Sequence, residues 1–347
     1  MKTIRVGASK TYDVKIGGAL LGSLGREAAA LSKGRTVCVV SDDTVFGLYG
    51  PAACQSLEDA GFAVHTWVFP HGEQSKCGES FLALLGFLAS RGLTRSDLLV
   101  ALGGGVTGDL TGFAAACYLR GVQYIQVPTS LLAMVDSSVG GKTAVDLPQG
   151  KNLCGAFWQP ALVLCDVDLL ATLPEEIFRD GCAEVIKYGV LGSRSLFEQL
   201  KAAHVRDQAE DVVAQCIEMK RRVVEDDEFD TGSRQLLNLG HTLGHAVEKN
   251  SGFTLSHGQC VAIGMAMMAR AAEQKGFCSE ETRDEIVALL KQYGLPTATD
   301  QSPEEICRAA LGDKKRRGGE LTLVVPEEIG RCKLHKIPVE ELQSWIV

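Results

Sequence analysis

The sequence predicts a chain of two parts, an α/β layer built on a parallel sheet and then a mostly helical half. Three observations carry this. Short apolar runs alternate with helical stretches up to about residue 170, and from Pro174 onward the apolar period becomes helical. The chain has 347 residues, 46% hydrophobic and 22% charged, enough for two ordinary cores.

The strand-like runs are TVCVVSDD at 36–43, FAVHTWVFP at 62–70, DLLVALGGG at 97–105, YIQVPTS at 124–130 and ALVLCD at 161–166. Near-continuous apolar runs of this length suit strands buried on both faces, as in a parallel sheet covered by helices. SFLALLGFLASRG at 80–92 supplies one intervening helix, and the whole half reads as an α/β nucleotide-binding domain. Beyond it, PEEIFRDGCAEVIKYGVL, LFEQLKAAHVRDQAEDVVAQCIEMKRRVVEDDE, HTLGHAVEK and HGQCVAIGMAMMARAAEQKG read as helices. Pro174 suits the first turn of the first of these, where Glu175 and Glu176 complement the positive helix end. One strand-like return, ELTLVVPEE at 320–328, follows the basic turn DKKRRGG. The expected division is 1–172 for the α/β domain and 173–347 for the helical domain.

With 35 basic and 43 acidic residues the formal net charge is −8, which argues against a nucleic-acid binder or a polybasic membrane anchor. The twelve cysteines lie at least eleven positions apart with no CxxC pair, and several sit in apolar runs, so reduced, buried thiols are expected. The first thirty residues interleave charged and apolar residues, and no stretch approaches 18 uninterrupted apolar residues. The expectation is a soluble cytoplasmic protein.

Four constellations could carry chemistry. LVALGGGVTGDLTGF sets Gly103, Gly104, Gly105 and Gly108 between a strand and a helix, where backbone amides and a helix N-terminus can approach a pyrophosphate. A tight turn in a packed sheet would look the same. The strand-end acid Asp42 lies upstream of the glycines instead of about twenty residues beyond them, unlike the usual dinucleotide fingerprint. LLNLGHTLGHAVE puts His241 and His245 on one helix face, and His257 opens a later helix. Three of the chain's seven histidines within seventeen positions favour a metal or catalytic cluster, and spacing alone nominates His241 and His245 as ligands. Glu184 and Lys187, three apart, form either a solvated helix pair or, with the histidines, a two-His-one-carboxylate site open to substrate oxygens. Finally Asp136, Lys142, Lys151 and Asn152 lie in a glycine-rich segment at 130–160 suited to phosphate or carboxylate oxygens. Lys220, Arg234 and the run Lys314, Lys315, Arg316, Arg317 add cations; such a run taken alone is usually a solvated face, but the combination points to a small anionic substrate and not a polyanion.

These residues together closely resemble the 3-dehydroquinate synthase family of sugar phosphate cyclases. The resemblance runs through PHGEQSK, GGGVTGD, VPTSLLAMVDSSVGGKTAVDLPQGKN, GCAEVIKYG, LNLGHTLGHAVE, LSHGQCVAIGM and the late DKK, in order over nearly the whole chain. It implies an NAD-binding N-terminal domain, one divalent metal (zinc or cobalt) in a helical C-terminal domain, and substrate in the cleft between. It implies Glu184, His241 and His257 as the metal ligands, which moves His245 to the substrate side near the phosphate. NAD contacts are implied for Asp42, Glu73, Lys76, Gly104, Gly105, Val106, Asp109, Thr129, Ser130, Leu169 and Thr172, with Lys151 close to both cofactor and substrate. Substrate contacts are implied for Asp136, Lys142, Asn152, Lys187, Lys220, Arg234, Asn238 and one of Lys314 or Lys315. Arg120 matches an arginine that reaches the partner's site in a homodimer.

The implied reaction is the second step of the shikimate pathway towards chorismate and the aromatic amino acids. A heptulosonate 7-phosphate is transiently oxidised by NAD, loses phosphate, is re-reduced and closes by an intramolecular aldol. Two residues depart from the commonest pattern, Asp180 before the glycine of GCAE and His71 of HGEQSK; neither is expected to touch a metal or phosphate position, so both bear on cofactor affinity more than on chemistry. The rival readings are another sugar phosphate cyclase and a metal-dependent alcohol dehydrogenase of related architecture. VDSSVGGKTAVD followed by GKN, together with Arg234, supplies cations for a carboxylate as well as a phosphate and favours the carboxylated substrate, while Glu184 in place of an Asp and the lysines at 142, 151 and 187 argue against the dehydrogenase.

Overall fold

The structure is a computed structural model that describes residues 1–252, 254–311 and 319–347. It divides into two compact units, Met1–Leu173 with Ala209–Phe229, and Pro174–Gln208 with Asp230–Val347.

In the first unit the strands are β1 (Lys2–Gly7), β2 (Thr11–Gly17), β3 (Thr36–Asp42), β4 (Ala63–Phe69), β5 (Leu98–Gly103), β6 (Gln123–Pro128), β7 (Lys142–Leu147), β8 (Gly150–Phe157) and β9 (Leu162–Asp166). The helices are α1 (Leu24–Leu31), α2 (Asp43–Asp59), α3 (Gly78–Ser90) and α4 (Gly105–Cys117). Seven strands form one sheet in the order β1-β2-β9-β6-β5-β3-β4, parallel except for the β1–β2 pair. The expected parallel sheet is therefore present. Val37, Cys38, Val39 and Val40 of β3 are all fully buried, which requires cover on both faces. On one face α3 and α4 pack Leu84, Leu88, Leu110 and Phe113 over Cys38, Val40, Leu99 and Tyr124.

The β1–β2 hairpin and the separate β7–β8 hairpin were not expected from the sequence. In β2 only alternate residues, Tyr12, Val14 and Ile16, turn inward, so no continuous apolar run marks it. β1, with Lys2 and Arg5 exposed, forms a charged sheet edge. β3 connects through α2 to β4 on one side, while β5 connects through α4 to β6 on the other. The strand order thus reverses between β3 and β5, the place where open α/β sheets bind ligands beyond the strand ends.

The second unit contains α5 (Glu175–Gly192) and α6 (Arg194–Ala202), and α7 (Ala209–Asp226) then returns the chain to the first unit. The expected division near residue 172 did not anticipate that return. α7 packs on β1 and β2, where Gly7 and Ser9 donate backbone N–H groups to Glu225 and Glu228. The second unit resumes with α8 (His241–Asn250), α9 (His257–Gln274), α10 (Glu280–Gln292), α11 (Pro303–Leu311) and an antiparallel pair, β10 (Glu320–Glu328) and β11 (Arg331–Pro338). The predicted return strand is one arm of this pair. Pro174 caps α5 from just outside it, one position earlier than expected.

α8 and α9 meet backbone to backbone. A Cβ on Gly264 would lie 1.9 Å from the Gly240 carbonyl oxygen, and one on Gly244 would lie 2.6 Å from that of Cys260. This approach sets His241 and His245 beside His257. Gly264→Ala is therefore expected to force the helices apart and cost about 2–3 kcal/mol of unfolding free energy, checked by urea denaturation; wild-type stability would mean that the helices yield without cost.

Candidate functional site

In the second unit, α5 buries both Glu184 and Lys187, so the pair is not the solvated helix pair that spacing alone allowed. The Lys187 ammonium is ion-paired to Glu184 Oε2. The other oxygen, Oε1, lies 3.4 Å from Nε2 of His241 and 3.3 Å from Nε2 of His257. Nδ1 of His241 is 3.0 Å from the Leu239 carbonyl oxygen. Donation there leaves the Nε2 lone pair facing the carboxylate, an arrangement that calls for a proton or a cation between them.

The electrostatics follow. Burial alone would raise the Glu184 carboxyl, but Lys187 and His241 hold it well below the usual range. Burial would lower His257, but Glu184 and Glu248 raise it to about 10. His245 keeps an exposed face, yet dense packing and the adjacent His241 and His257 imidazoles lower its basicity. One carboxylate oxygen and two imidazole nitrogens, all within 4.8 Å of one another, fit a divalent ion of the zinc type.

Spacing had paired His241 with His245. The structure instead builds a carboxylate-bearing group from Glu184, His241 and His257, and a second group from His245, Glu248 and His257. The rings of His241 and His245 are 5.3 Å apart, centroid to centroid. Glu248, whose Oε2 is 3.9 Å from Nδ1 of His257, was missed, although its place three residues after His245 on the same helix was legible. Arg234 is buried and Asn238 exposed in the turn that leads into α8. Lys314 and Lys315 lie outside the described residues.

In the first unit, Lys76 gathers several predicted residues. Its ammonium lies 2.8 Å from Asn152 Oδ1, 3.2 Å from Asp109 Oδ2 and 3.1 Å from Glu73 Oε1. Lys151 approaches Glu73 at 3.8 Å. Burial works to lower Lys76, but Asp109, Glu73 and Asp146 raise it overall; burial pushes Asp109 up to about 6 against the pull of Lys76. Asp146, which sequence reasoning missed, accepts the backbone N–H of Asn152 at 2.8 Å. Asn152 has φ +57°, so this contact steadies a left-handed residue.

Gly104 caps α4 with no side-chain cap and no acid in the first turn, where Gly105 and Val106 stand. A Cβ on Gly104 would meet only the Ser130 side chain, Oγ at 3.5 Å and Cβ at 4.0 Å, so the approach to these amides is open. Thr129 donates its N–H to the Gly103 carbonyl, at the neighbouring strand end. Asp42 caps α2 by accepting from Val45 N at 2.9 Å. Leu169 and Thr172 are tied to α2 through the Tyr49 hydroxyl. Lys220 on α7 is held by Asp136, at 2.8 Å to Oδ1 and 2.5 Å to the backbone oxygen. Lys142 is exposed at the start of β7, and Arg120 is exposed within three successive positive-φ residues, Leu119 to Gly121. His71 pairs with Asp43, Nδ1 to Oδ1 at 2.7 Å.

Comparison with known proteins adds independent findings. A model of the 3-dehydroquinate synthase N-terminal region matches residues 66–180, and one of the 3-dehydroquinate synthase C-terminal region matches 181–316. A 3-dehydroquinate synthase of Pelobacter propionicus is 45% identical over 98% of this chain and 97% of its own length. Among solved structures, a 2-epi-5-epi-valiolone synthase from Streptomyces hygroscopicus, with NAD+ and Zn2+ bound, is 28% identical with a TM-score of 0.88 over 99% of this chain and 98% of that one. A 2-deoxy-scyllo-inosose synthase complexed with carbaglucose-6-phosphate, NAD+ and Co2+ has a TM-score of 0.89 at 24% identity, over 99% of each chain, a likeness of fold.

Proposed function

The chain belongs to the 3-dehydroquinate synthase family, and from that premise we propose which of its residues carry the family's reaction. That reaction converts 3-deoxy-D-arabino-heptulosonate 7-phosphate to 3-dehydroquinate and phosphate, a carbon–oxygen lyase reaction that uses NAD and a divalent metal ion. The observation that carries the assignment is the buried Glu184 carboxylate facing His241 and His257.

Glu184, His241 and His257 would hold the ion. The α4 N-terminus, with Gly104, Gly105 and Val106, would take the pyrophosphate of NAD, and Asp42, Glu73, Lys76, Asp109, Thr129, Ser130, Lys151, Leu169 and Thr172 would surround the rest. When bound, the ion would supply polarisation of the hydroxyl to be oxidised, and NAD a hydride acceptor and donor. Phosphate elimination and aldol closure then require the anionic ends of the substrate to be held still. Lys142, Lys220, Asn152, Asp136 and Arg234 are the groups we assign to that task, together with Asn238 and one of Lys314 or Lys315. Arg234 offers a planar donor fork suited to a carboxylate. Lys187 keeps Glu184 charged and adds a donor beside it. His245, less basic than a free histidine, is neutral at pH 7 and can accept a hydrogen bond from a protonated phosphate oxygen.

In the same assignment the ion is zinc or cobalt, and Arg120 reaches the site of a second subunit in a homodimer. The cytoplasm is the proposed compartment. No helix among the described residues is long and apolar enough to cross a membrane, and the cysteines are free thiols.

The assay follows inorganic phosphate and the absorbance of NADH together, in metal-loaded protein given NAD and the heptulosonate phosphate. The expected outcome is many turnovers of phosphate with no accumulating NADH. Stoichiometric NADH without phosphate would indicate an alcohol dehydrogenase, and silence in both channels would point to a different sugar phosphate. His257→Ala is expected to lose bound metal and turnover with the fold retained, read by elemental analysis and circular dichroism; a metal-replete variant would remove His257 from the ligand set. Gly104→Val is expected to keep its fold, since φ −75° and the open space tolerate a side chain. Its NAD affinity should fall at least about tenfold, roughly 1.4 kcal/mol, in a fluorescence titration, and unchanged affinity would place the pyrophosphate elsewhere.

A further inference from the structure

We infer that Asp180 is a positioning residue for the metal site, the clamp that fixes where His257 stands relative to Glu184. Glu184, His241 and His257 are here taken as the metal ligands proposed above. Asp180 lies on α5 one turn before Glu184, hence on the same face. Its Oδ1 accepts from the Ser256 hydroxyl and, at 3.1 Å, from the backbone N–H of Gln259. Ser256 is the N-cap of α9, and Ser256 with Gln259 forms a reciprocal capping box. Between them stand His257 and Gly258, so the first turn of α9 is fastened to α5 on either side of the histidine. Gly258 shows how close this contact is. A Cβ there would fall 2.1 Å from the Asp180 carbonyl oxygen and 2.6 Å from its Oδ1.

One helix therefore supplies both the carboxylate that faces the imidazole and the anchor for the helix that bears the imidazole. The Nε2–Oε1 separation of 3.3 Å is set by a rigid span of one α5 turn and one capped α9 turn. An acid at this place also complements the positive end of α9, which has no acid in its own first turn. The departure noted at Asp180 thus has a mechanical role next to the metal group.

The test measures affinity for Co2+ by competition with a chromophoric chelator, the visible spectrum of the Co2+ protein, and melting of the metal-free protein. It compares wild type, Asp180→Ala, Asp180→Asn and His257→Ala. Asp180→Ala is expected to bind Co2+ about tenfold more weakly, the scale for losing a group that orients a ligand, with a changed spectrum at saturating metal. Asp180→Asn keeps an acceptor oxygen without the charge and should lose only about threefold. A wild-type constant and spectrum in folded Asp180→Ala would overturn the clamp. Should that variant not fold, a wild-type constant in Asp180→Asn would do so. His257→Ala separates the two ideas: undiminished Co2+ binding there overturns the ligand set, whereas loss there beside an unaffected Asp180→Ala overturns the clamp alone.

Discussion

Burying the Glu184 carboxylate on α5 would cost several kcal/mol if it were left alone. Three elements of the second unit bring compensating groups to it. α5 itself provides Lys187, the start of α8 provides His241, and the start of α9 provides His257. Each comes from a helix beginning or from the same helix face, positions fixed by backbone geometry instead of by flexible loops. The close α8–α9 approach through Gly240, Gly244 and Gly264 follows from the same demand. A larger residue at that contact would move the two histidines relative to one another.

A different constraint governs the first unit, the reversal of strand order between β3 and β5. There Asp42 ends β3 and Gly103 ends β5, while Thr129 and Ser130 follow β6. Residues far apart in sequence are thus carried to neighbouring strand ends by the sheet alone. The glycines matter because α4 starts immediately after β5, which leaves its first amides uncapped by any side chain.

How much of this was legible depended on whether a residue's neighbours lay close in sequence. The parallel strands β3, β5, β6 and β9 were readable because burial on both faces writes itself as an unbroken apolar run, as in TVCVV, while the edge strand β4, mostly unburied, was legible from its β-branched and aromatic residues. β2 was not, since its alternation TYDVKIG buries one side only. The return of α7 to the first unit left no local mark, because an amphipathic helix shows that it has a partner and not which one. The same limit applied at the site. Spacing correctly put His241 and His245 on one helix face but could not show that Glu184 would meet His241 and His257; the family resemblance supplied that set. Asp146 and Glu248 were passed over because each acts on a residue already nominated, and nothing in a sequence marks a supporting carboxylate as different from a surface one. Asp180 was noticed only as an odd residue near a motif, while its partners Ser256 and Gln259 sit seventy-six and seventy-nine positions away.

The cations nominated for ligand binding share a further property. Lys76 rests against Asp109 and Glu73, Lys220 against Asp136, and Lys187 against Glu184, each buried lysine next to a carboxylate. An unpartnered ammonium in those positions would lose its proton or draw the chain open, since a buried charge tolerates no such neglect. The carboxylates keep the lysines charged and hold them in one place, which lowers the rotamer entropy lost when an anion arrives. They also weaken each lysine's pull on that anion, because part of the field is already cancelled. A reaction with several successive steps in one site gains more from fixed donors than from maximal attraction, as tight binding of every species alike would not speed any step. Lys142, exposed at the start of β7, stands apart from these three lysines. Its contribution therefore depends on how far a bound ligand excludes water from it.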